Sequence, residues 1–299
     1  MEKENTASSE ILLPNSFRDP YLFEDIISLS PPVIERGLKC DMSRVNFIEP
    51  YSMVSFLLLG RQYLRQRGEK LSLINIPVNI QQYLTRMDFF KQGFFRITEE
   101  LDERLLLKRT SFSRRVLEIT EIPNKERESV LVISDTISRF RKRASQILKF
   151  WISDNIIDLF VTVISELCQN IFEHSLDSGY LSMQTYSTGK ENIVRLVISD
   201  SGIGIMKSFE NSKEPEFDTE ADLIRLAMST PISSKREFGY GLCQVNSIVE
   251  RLRGILFIRS GHSSVTAVYN KKGKKTPYMF LKNDLNIFNG TQISISLSG

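Results

Sequence analysis

Three short stretches of this chain hold residues whose types and spacing could do chemistry. The first is Glu166-Leu167-Cys168-Gln169-Asn170-Ile171-Phe172-Glu173-His174. Positions four apart advance about 400° in an α-helix, so Glu166, Asn170 and His174 fall on one face within about 80° of each other. An Asn amide oxygen is a neutral, hard ligand suited to Mg²⁺, which keeps water and phosphate oxygens as its other ligands. A Glu one turn away could orient or deprotonate a nucleophile. A solvated polar face would carry the same residue types. The second stretch, Asp200-Ser201-Gly202-Ile203-Gly204-Ile205, is a turn directly after the β-branched run Ile193 to Ile198. A carboxylate at a strand end can accept the exocyclic amino protons of adenine, and glycines let the backbone approach a flat base. A plain tight turn has the same composition. The third, Phe238-Gly239-Tyr240-Gly241-Leu242, opens a helix on which Leu242, Val245, Val249 and Leu252 recur until Gly254. Glycines ahead of a helix leave N–H groups free at the positive end of its dipole, an arrangement that binds phosphate.

The elements that must position these residues follow from periodicity. Two helices are predicted at about 129–149 and 154–175, the second with an apolar stripe of Phe160, Ile164, Leu167 and Ile171 on another side from its polar face. Val116–Ile122 alternates as a strand before them, and the order after them reads strand, strand, loop, helix and three strands. Within the long connection 206–238 only Glu220 to Met228 reads as helix, and connections of that length act as lids or tails. Upstream, 38–48 reads as one extended segment. An amphipathic helix follows from Ser52 to a Gly68 cap, then a strand at Leu71–Ile76, a helix opened by Pro77, and the apolar cluster Met87, Phe89 and Phe90. The charge-rich stretch Arg96 to Arg115 is the expected junction, which gives an N-terminal domain over 1–96, a linker over 97–115 and a second domain over 116–299.

Composition bounds the rest. With 299 residues, 41% hydrophobic and 25% charged, the chain has enough apolar content for two globular cores and too much for disorder. Cys40, Cys168 and Cys243 are odd in number and lack CxxC spacing, which argues against a disulfide framework or a zinc site and for reduced, buried thiols. The longest apolar run, Val54 to Leu59, interrupted only by Ser55, is far short of the ~20 residues of a membrane helix. The polar start Met1-Glu2-Lys3-Glu4-Asn5 has no leader character, so a cytoplasmic location without a membrane partner is expected. Lys and Arg exceed Asp and Glu by only three. The clusters Arg139-Arg141-Lys142-Arg143 and Lys271-Lys272-Lys274-Lys275 therefore read as solvated faces, and nucleic acid is not the expected partner. Position 207 is Lys, so GxG does not extend to GxGxxG, and no GxxxxGK[ST] occurs.

The order ExxxNxxxH, DxGxGI and GxGL resembles the N, G1 and G2 boxes of the GHKL ATPases, which take in gyrase-type, heat-shock-chaperone, histidine-kinase and mismatch-repair ATP-binding domains. The similarity covers about Val116 to Gly299 and includes Gly290-Thr291-Gln292-Ile293-Ser294-Ile295, which resembles the family's late strand with a Thr near the adenine. It implies an α/β two-layer sandwich of helices over a mixed sheet, with ATP and Mg²⁺ as cofactors. It also implies Asn170 on Mg²⁺, Glu166 near the γ-phosphate as catalyst, and Asp200 on adenine. Gly202, Gly204 and Ile205 would then line the nucleotide, Gly239, Gly241 and Leu242 the phosphates, with Lys235 and Arg236 adding charge from the lid and Thr291 beside the base. His174 reads as a hydrogen-bonded structural residue. The chain has only His174 and His262, the latter in a turn, so self-phosphorylation on His is not expected, and the spacing from Asn170 to His174 resembles the anti-sigma-factor serine kinases.

The N-terminal stretch Cys40 to Ser52 resembles the strand and loop that precede the signalling helix of a STAS domain, the α/β fold of anti-sigma-factor antagonists, over about residues 10–95. Pro50 and Tyr51 stand where that family has its acidic-flanked phosphorylatable Ser, and Ser52 where it has Gly. The resemblance therefore implies protein docking rather than phosphorylation. Together these readings imply a Mg-dependent ATP-binding signalling protein that hydrolyses ATP or transfers its phosphoryl group to a protein Ser or Thr. The alternative is a nucleotide-gated protein-binding module with little turnover. A regulatory protein partner follows from either, and homodimerisation is open.

Overall fold

The computed structural model of the protein describes residues 9–18, 20–29, 37–98, 113–124, 130–189, 191–210, 217–232, 241–269 and 278–298. The chain separates into two units, divided between Ser111 and Phe112. In the first, β1 (Glu10–Leu12), β3 (Lys39–Asp41), β5 (Leu71–Ile74) and β6 (Phe95–Ile97) form a four-stranded parallel sheet in that order. A separate parallel pair joins β2 (Ser16–Phe17) to β4 (Phe47–Ile48). The segment 38–48, expected as one extended piece, is thus two strands in two different sheets. The turn of Asp41, which accepts from the Ser43 N–H at 2.7 Å, lies between them.

Helices α1 (Pro20–Leu29), α2 (Pro50–Arg67) and α3 (Val78–Arg86) complete this unit. Gly68 ends α2 in the left-handed region, φ 71°, as its sequence promised. The helix is not amphipathic, however: every residue from Pro50 to Arg61 is buried. Ser52 and Ser55 could be read as a polar face, yet they are small enough to sit inside a packed layer.

The second unit holds the three chemical stretches. Strand β7 (Val116–Ile122) is followed by α4 (Val130–Leu148) and α5 (Asp154–Asn170), then by β8 (Gly179–Thr188) and β9 (Glu191–Asp200). Three helices come next, α6 (Gly204–Phe209), α7 (Glu220–Ser229) and α8 (Gly241–Arg251), and then β10 (Ile255–Gly261), β11 (Ser263–Val268), β12 (Tyr278–Lys282) and β13 (Phe288–Ser298). The seven strands form one sheet in the order β12-β11-β10-β13-β9-β8-β7. A mixed sheet was expected, but every pairing in it is antiparallel. Hairpins join β8 to β9 and β10 to β11, and β13 returns between β9 and β10 with the sense that pairs antiparallel to both. Among the described residues, four strands, not three, follow α8.

Alternate residues of the central strands, Leu196 and Ile198 on β9 with Ile293 and Ile295 on β13, join the core under the helices. Phe160, Ile164, Leu167 and Cys168 of α5 meet them from the helical layer. By length and composition, Asp154–Ser175 is the one stretch among the described residues apolar enough to cross a bilayer. Its apolar stripe is instead packed in this core, which accounts for that composition. Burial pushes the Cys40 thiol up to about 12 and raises that of Cys168, so both stay protonated and act as small apolar residues. Cys243 is only half-buried, unlike the other two.

Candidate functional site

A cleft of about 820 Å³, its open mouth included, lies between the helical layer and the sheet where the three stretches meet. From the C-terminal end of α5 comes Asn170, from the turn after it His174, from the end of β9 Asp200, and from the start of α6 Gly204 and Ile205. Gly241 and Leu242 enter from the start of α8, and Thr291 from β13. Ile171, Ile198, Phe209 and Ile293 give it apolar walls. This combination of a mainly apolar lining with a few convergent polar groups is what small-ligand sites have in common.

The helix carrying Asn170 does not continue in α-helical register. Residues Ile171–Ser175 form a π turn, closed by Leu176 in the left-handed region at φ 59°. The wider turn still leaves His174 in the cleft, but not by the i, i+4 geometry that the spacing suggested. Its imidazole is 3.8 Å from the Glu173 carboxylate, which also accepts from the Gln169 amide at 2.7 Å. The π turn also carries Ser175 over the end of β9. Its hydroxyl donates to Asp200 Oδ1 at 2.7 Å, and its carbonyl accepts from the Ile203 N–H at 3.1 Å.

Asp200 is the electrostatic centre of the site. It is 4% exposed, and its Oδ1 accepts from both Ser175 Oγ and the Gly202 N–H, the latter at 2.8 Å. Burial pushes its carboxyl up to about 6, against bonds from Ser175, Gly202 and the Thr291 N–H that favour the ionised form; the nearby Asp177 charge adds a small upward push. Because the folded chain holds this proton more tightly than the unfolded one, Asp200 contributes stability below the ordinary carboxylate range that is lost as pH rises through about 6. A ligand that needs the carboxylate as acceptor follows the opposite course. Its affinity is expected to be level above pH 7 and to fall about tenfold by pH 5, a slope that calorimetry across this range checks and that Asp200→Asn should abolish.

Glycines fit the backbone tightly around this carboxylate. A Cβ on Gly202 would overlap the Ser175 carbonyl, and Gly290, at φ 87°, sits with its Cα hydrogens against the Asp200 carbonyl. Gly202 is not in the cleft wall but supports it through the N–H given to Asp200. Gly204 is left-handed at φ 78° and already starts α6, within the stretch expected as a turn. The Ile205 N–H next to it donates to Ser260 Oγ at 2.8 Å. Across the cleft, a Cβ on Gly241 would come within 2.9 Å of Asn170 Oδ1, so the absence of a side chain there lets the start of α8 approach the Asn amide.

Behind the site, Gln292 donates from Nε2 to the carbonyls of Asp200 at 3.1 Å and Asn289 at 2.9 Å. The fully buried Arg259 donates to the carbonyls of Gly261, Asn286 and Phe288. Both brace the chain that delivers Gly290 and Thr291. Sequence reasoning missed Ser175, Gln292 and Arg259: Ser175 reaches Asp200 only through the π turn, and the other two act through backbone carbonyls that no residue pattern marks.

Glu166 sits one turn before Asn170 on α5, half-buried, and is not among the residues lining the cleft. Lys235, Arg236 and Gly239 lie outside the described residues, as do the segments 211–216 and 233–240 of the expected lid.

Residues 155–283 match the model of the family described as histidine kinase-, DNA gyrase B- and HSP90-like ATPase. The match supports a GHKL-type ATPase domain in the second unit, and with it an ATP-binding module of the ATPase and kinase type. It spans the cleft from α5 through α8 and ends before Thr291. No curated protein matches the chain.

Proposed function

We propose that this protein is a signalling ATPase or protein kinase whose GHKL-type domain binds Mg-ATP in the cleft between α5, α8 and the sheet. The observation that carries this reading is the meeting of Asp200, Asn170 and the start of α8 around one cavity. In it, Asp200 takes the amino protons of adenine between the apolar walls, and Thr291 sits beside the base. The triphosphate runs toward the N–H groups that open α8, an 11-residue helix, beside Gly241 and Leu242. Lys235 and Gly239, just upstream, are proposed to meet the same phosphates.

Asn170 is the protein's ligand for Mg²⁺. Among the described residues no group of three or more His, Cys, Asp and Glu converges, so the cation would take its remaining ligands from water and phosphate oxygens. When bound it neutralises charge on the phosphates. The close approach of Gly241 to the Asn170 amide fits that role, because it sets an oxygen ligand against a helix start suited to anions. Glu166 accepts the proton of the attacking water or hydroxyl.

Two substitutions test these assignments in purified protein. Asn170→Ala is expected to remove the dependence of ATP affinity on Mg²⁺ while leaving weak, metal-independent binding. Glu166→Ala is expected to lower γ-phosphate release or transfer by about a hundredfold or more with ATP binding kept within a few-fold. Radiolabelled ATP with a lysate separates label on another chain from free phosphate, and so a kinase from an ATPase.

One observation favours the second reading, a nucleotide-gated module with slow turnover: Glu166 does not line the cleft. Wild-type protein that binds ATP and ADP but releases no phosphate would decide for it.

The first unit is proposed to be a STAS-like docking domain. Its parallel sheet under helices is compatible with that reading. Tyr51 and Ser52, at the start of α2, are each 2% exposed, so a kinase would have to open the helix to reach them. That favours recognition of a partner over phosphorylation at this place.

A further inference from the structure

Helix α4 stands on the outside of the second unit, with Ile133, Phe140, Ala144 and Ile147 in the core. At 100° per residue its opposite side presents Leu131, Val132, Asp135, Arg139, Lys142 and Gln146 within about 100° of arc, and all six are exposed. Two properties set this face apart. The first is apolar exposure at both ends: Leu131 is 81% and Val132 42% exposed at the start, and Phe150, just past the end, is 48% exposed. The second is charge. Asp135 pairs with Arg139 at 3.1 Å, but from Thr136 to Ser153 the chain has five Lys and Arg and no Asp or Glu, and Arg114 and Arg115 join them at the far end. Together they exceed the net charge of +3 of the whole chain, so the remainder of the protein is net acidic.

The contacts within the patch fix how it meets a partner. The Arg114 guanidinium at 4.7 Å and the Lys149 ammonium at 5.2 Å both lie over the Phe150 ring, and Arg115 lies over Trp151 at 5.9 Å. The Trp151 indole N–H donates to the Arg114 carbonyl, and Arg143 to the Ser113 carbonyl, each at 2.8 Å. These bonds hold cations and aromatic rings in one layer. With cations over its face, Phe150 is poorly placed to stack on a nucleobase, which argues against single-stranded nucleic acid. A surface that is anionic at its boundary and apolar just beneath would accept both kinds of group at once. The apolar ends are separated by a helix of 19 residues, about 28 Å long, so a flat partner meets both.

We propose that the exposed face of α4, together with Arg114, Lys149 and Phe150, docks the protein peripherally on an anionic phospholipid surface. No spanning helix is needed for such a contact, since basic side chains near anionic headgroups each contribute about fivefold in affinity and the exposed apolar side chains add shallow burial. The face lies apart from the nucleotide cleft, and the proposal stands or falls independently of ATP.

Co-sedimentation of the full chain with vesicles tests it. Vesicles of phosphatidylcholine mixed with an equal amount of phosphatidylglycerol should bind the protein, vesicles of phosphatidylcholine alone should not, and added salt should release it. The double variant Lys142→Gln with Lys149→Gln should weaken that binding about thirtyfold. Phe150→Ala should weaken it several-fold while leaving the salt dependence unchanged. Circular dichroism of each variant separates lost docking from lost folding, and the wild-type comparison of the two vesicles needs no variant. Equal binding to both vesicles, binding to neither, or salt-sensitive capture of a labelled oligonucleotide in their place would overturn the proposal. So would self-association of the chain that the double variant abolishes.

Discussion

Asp200→Asn is expected to weaken ATP and ADP binding alike, by about a hundredfold or more, without unfolding the protein. The Asp200 carboxylate accepts from Ser175 Oγ and from the backbone N–H groups of Gly202 and Thr291. An amide in its place offers one oxygen to those donors and turns an N–H₂ either toward them or toward the amino group of the base. One donor then faces another. A site built to hydrogen-bond loses several kcal/mol when a buried polar partner is mismatched, on the order of 3 kcal/mol here. Stability should move the other way or stay level. Raising the carboxyl from 3.8 to about 6 corresponds, net of the bonds it accepts, to a cost of about 3 kcal/mol for keeping it ionised at neutral pH, which the neutral amide escapes. Calorimetry with both nucleotides, beside a melting curve, reads the two effects separately. Unchanged affinity in a folded variant would remove Asp200 from the nucleotide site.

Gly290→Ala is expected to be among the most damaging single changes of small size in the second unit. The residue has φ 87°, outside what an L side chain adopts without strain, and its new Cβ would overlap the Asp200 carbonyl. Neither side can move freely. Gln292 holds that carbonyl, and Arg259 holds the neighbouring carbonyls of Asn286 and Phe288. A loss of about 4 kcal/mol and a melting temperature lower by on the order of 10 °C follow for a unit of this size. Any protein that remains folded should bind nucleotide poorly, because the displaced strand carries Thr291. A melting curve within a degree or two of the wild type would mean that this corner is looser than its contacts indicate. Gly68→Ala is a useful contrast: its φ is also positive, at 71°, but nothing lies within 4 Å of the Cβ position, so strain without overlap should cost about 1 kcal/mol.

Much of the helical layer was legible in the chain itself. The stripe of Phe160, Ile164, Leu167 and Ile171 marked α5, Gly68 marked the end of α2, and the recurrence of Val245 and Val249 marked α8. These signals are local, since they depend on neighbours three or four residues away. What could not be read depends on residues far apart. The antiparallel sense of the whole sheet is decided by where β13 returns, between β9 and β10, which no single segment encodes. The two-sheet fate of 38–48 and the burial of α2 on all sides likewise depend on partners elsewhere in the first unit. At the site, residue types pointed to Asp200, Asn170 and Gly241 because each has its own chemistry. Ser175 and Gln292 are ordinary residues made important by backbone geometry, and Glu166 shows the converse, an apt residue type that does not reach the cleft wall.

The π turn after Asn170 accommodates one residue more than an α turn would over the same rise. Asn170 and Ser175 stand at its two ends, one toward the start of α8 and the other on the Asp200 carboxylate. The reach between the two halves of the cleft is therefore a matter of how many residues separate them, not only of which residues they are. Deleting Phe172 would tighten the coil back to its ordinary pitch and swing Ser175 out of phase with Asp200, even though Asn170, Ser175 and Asp200 all remained.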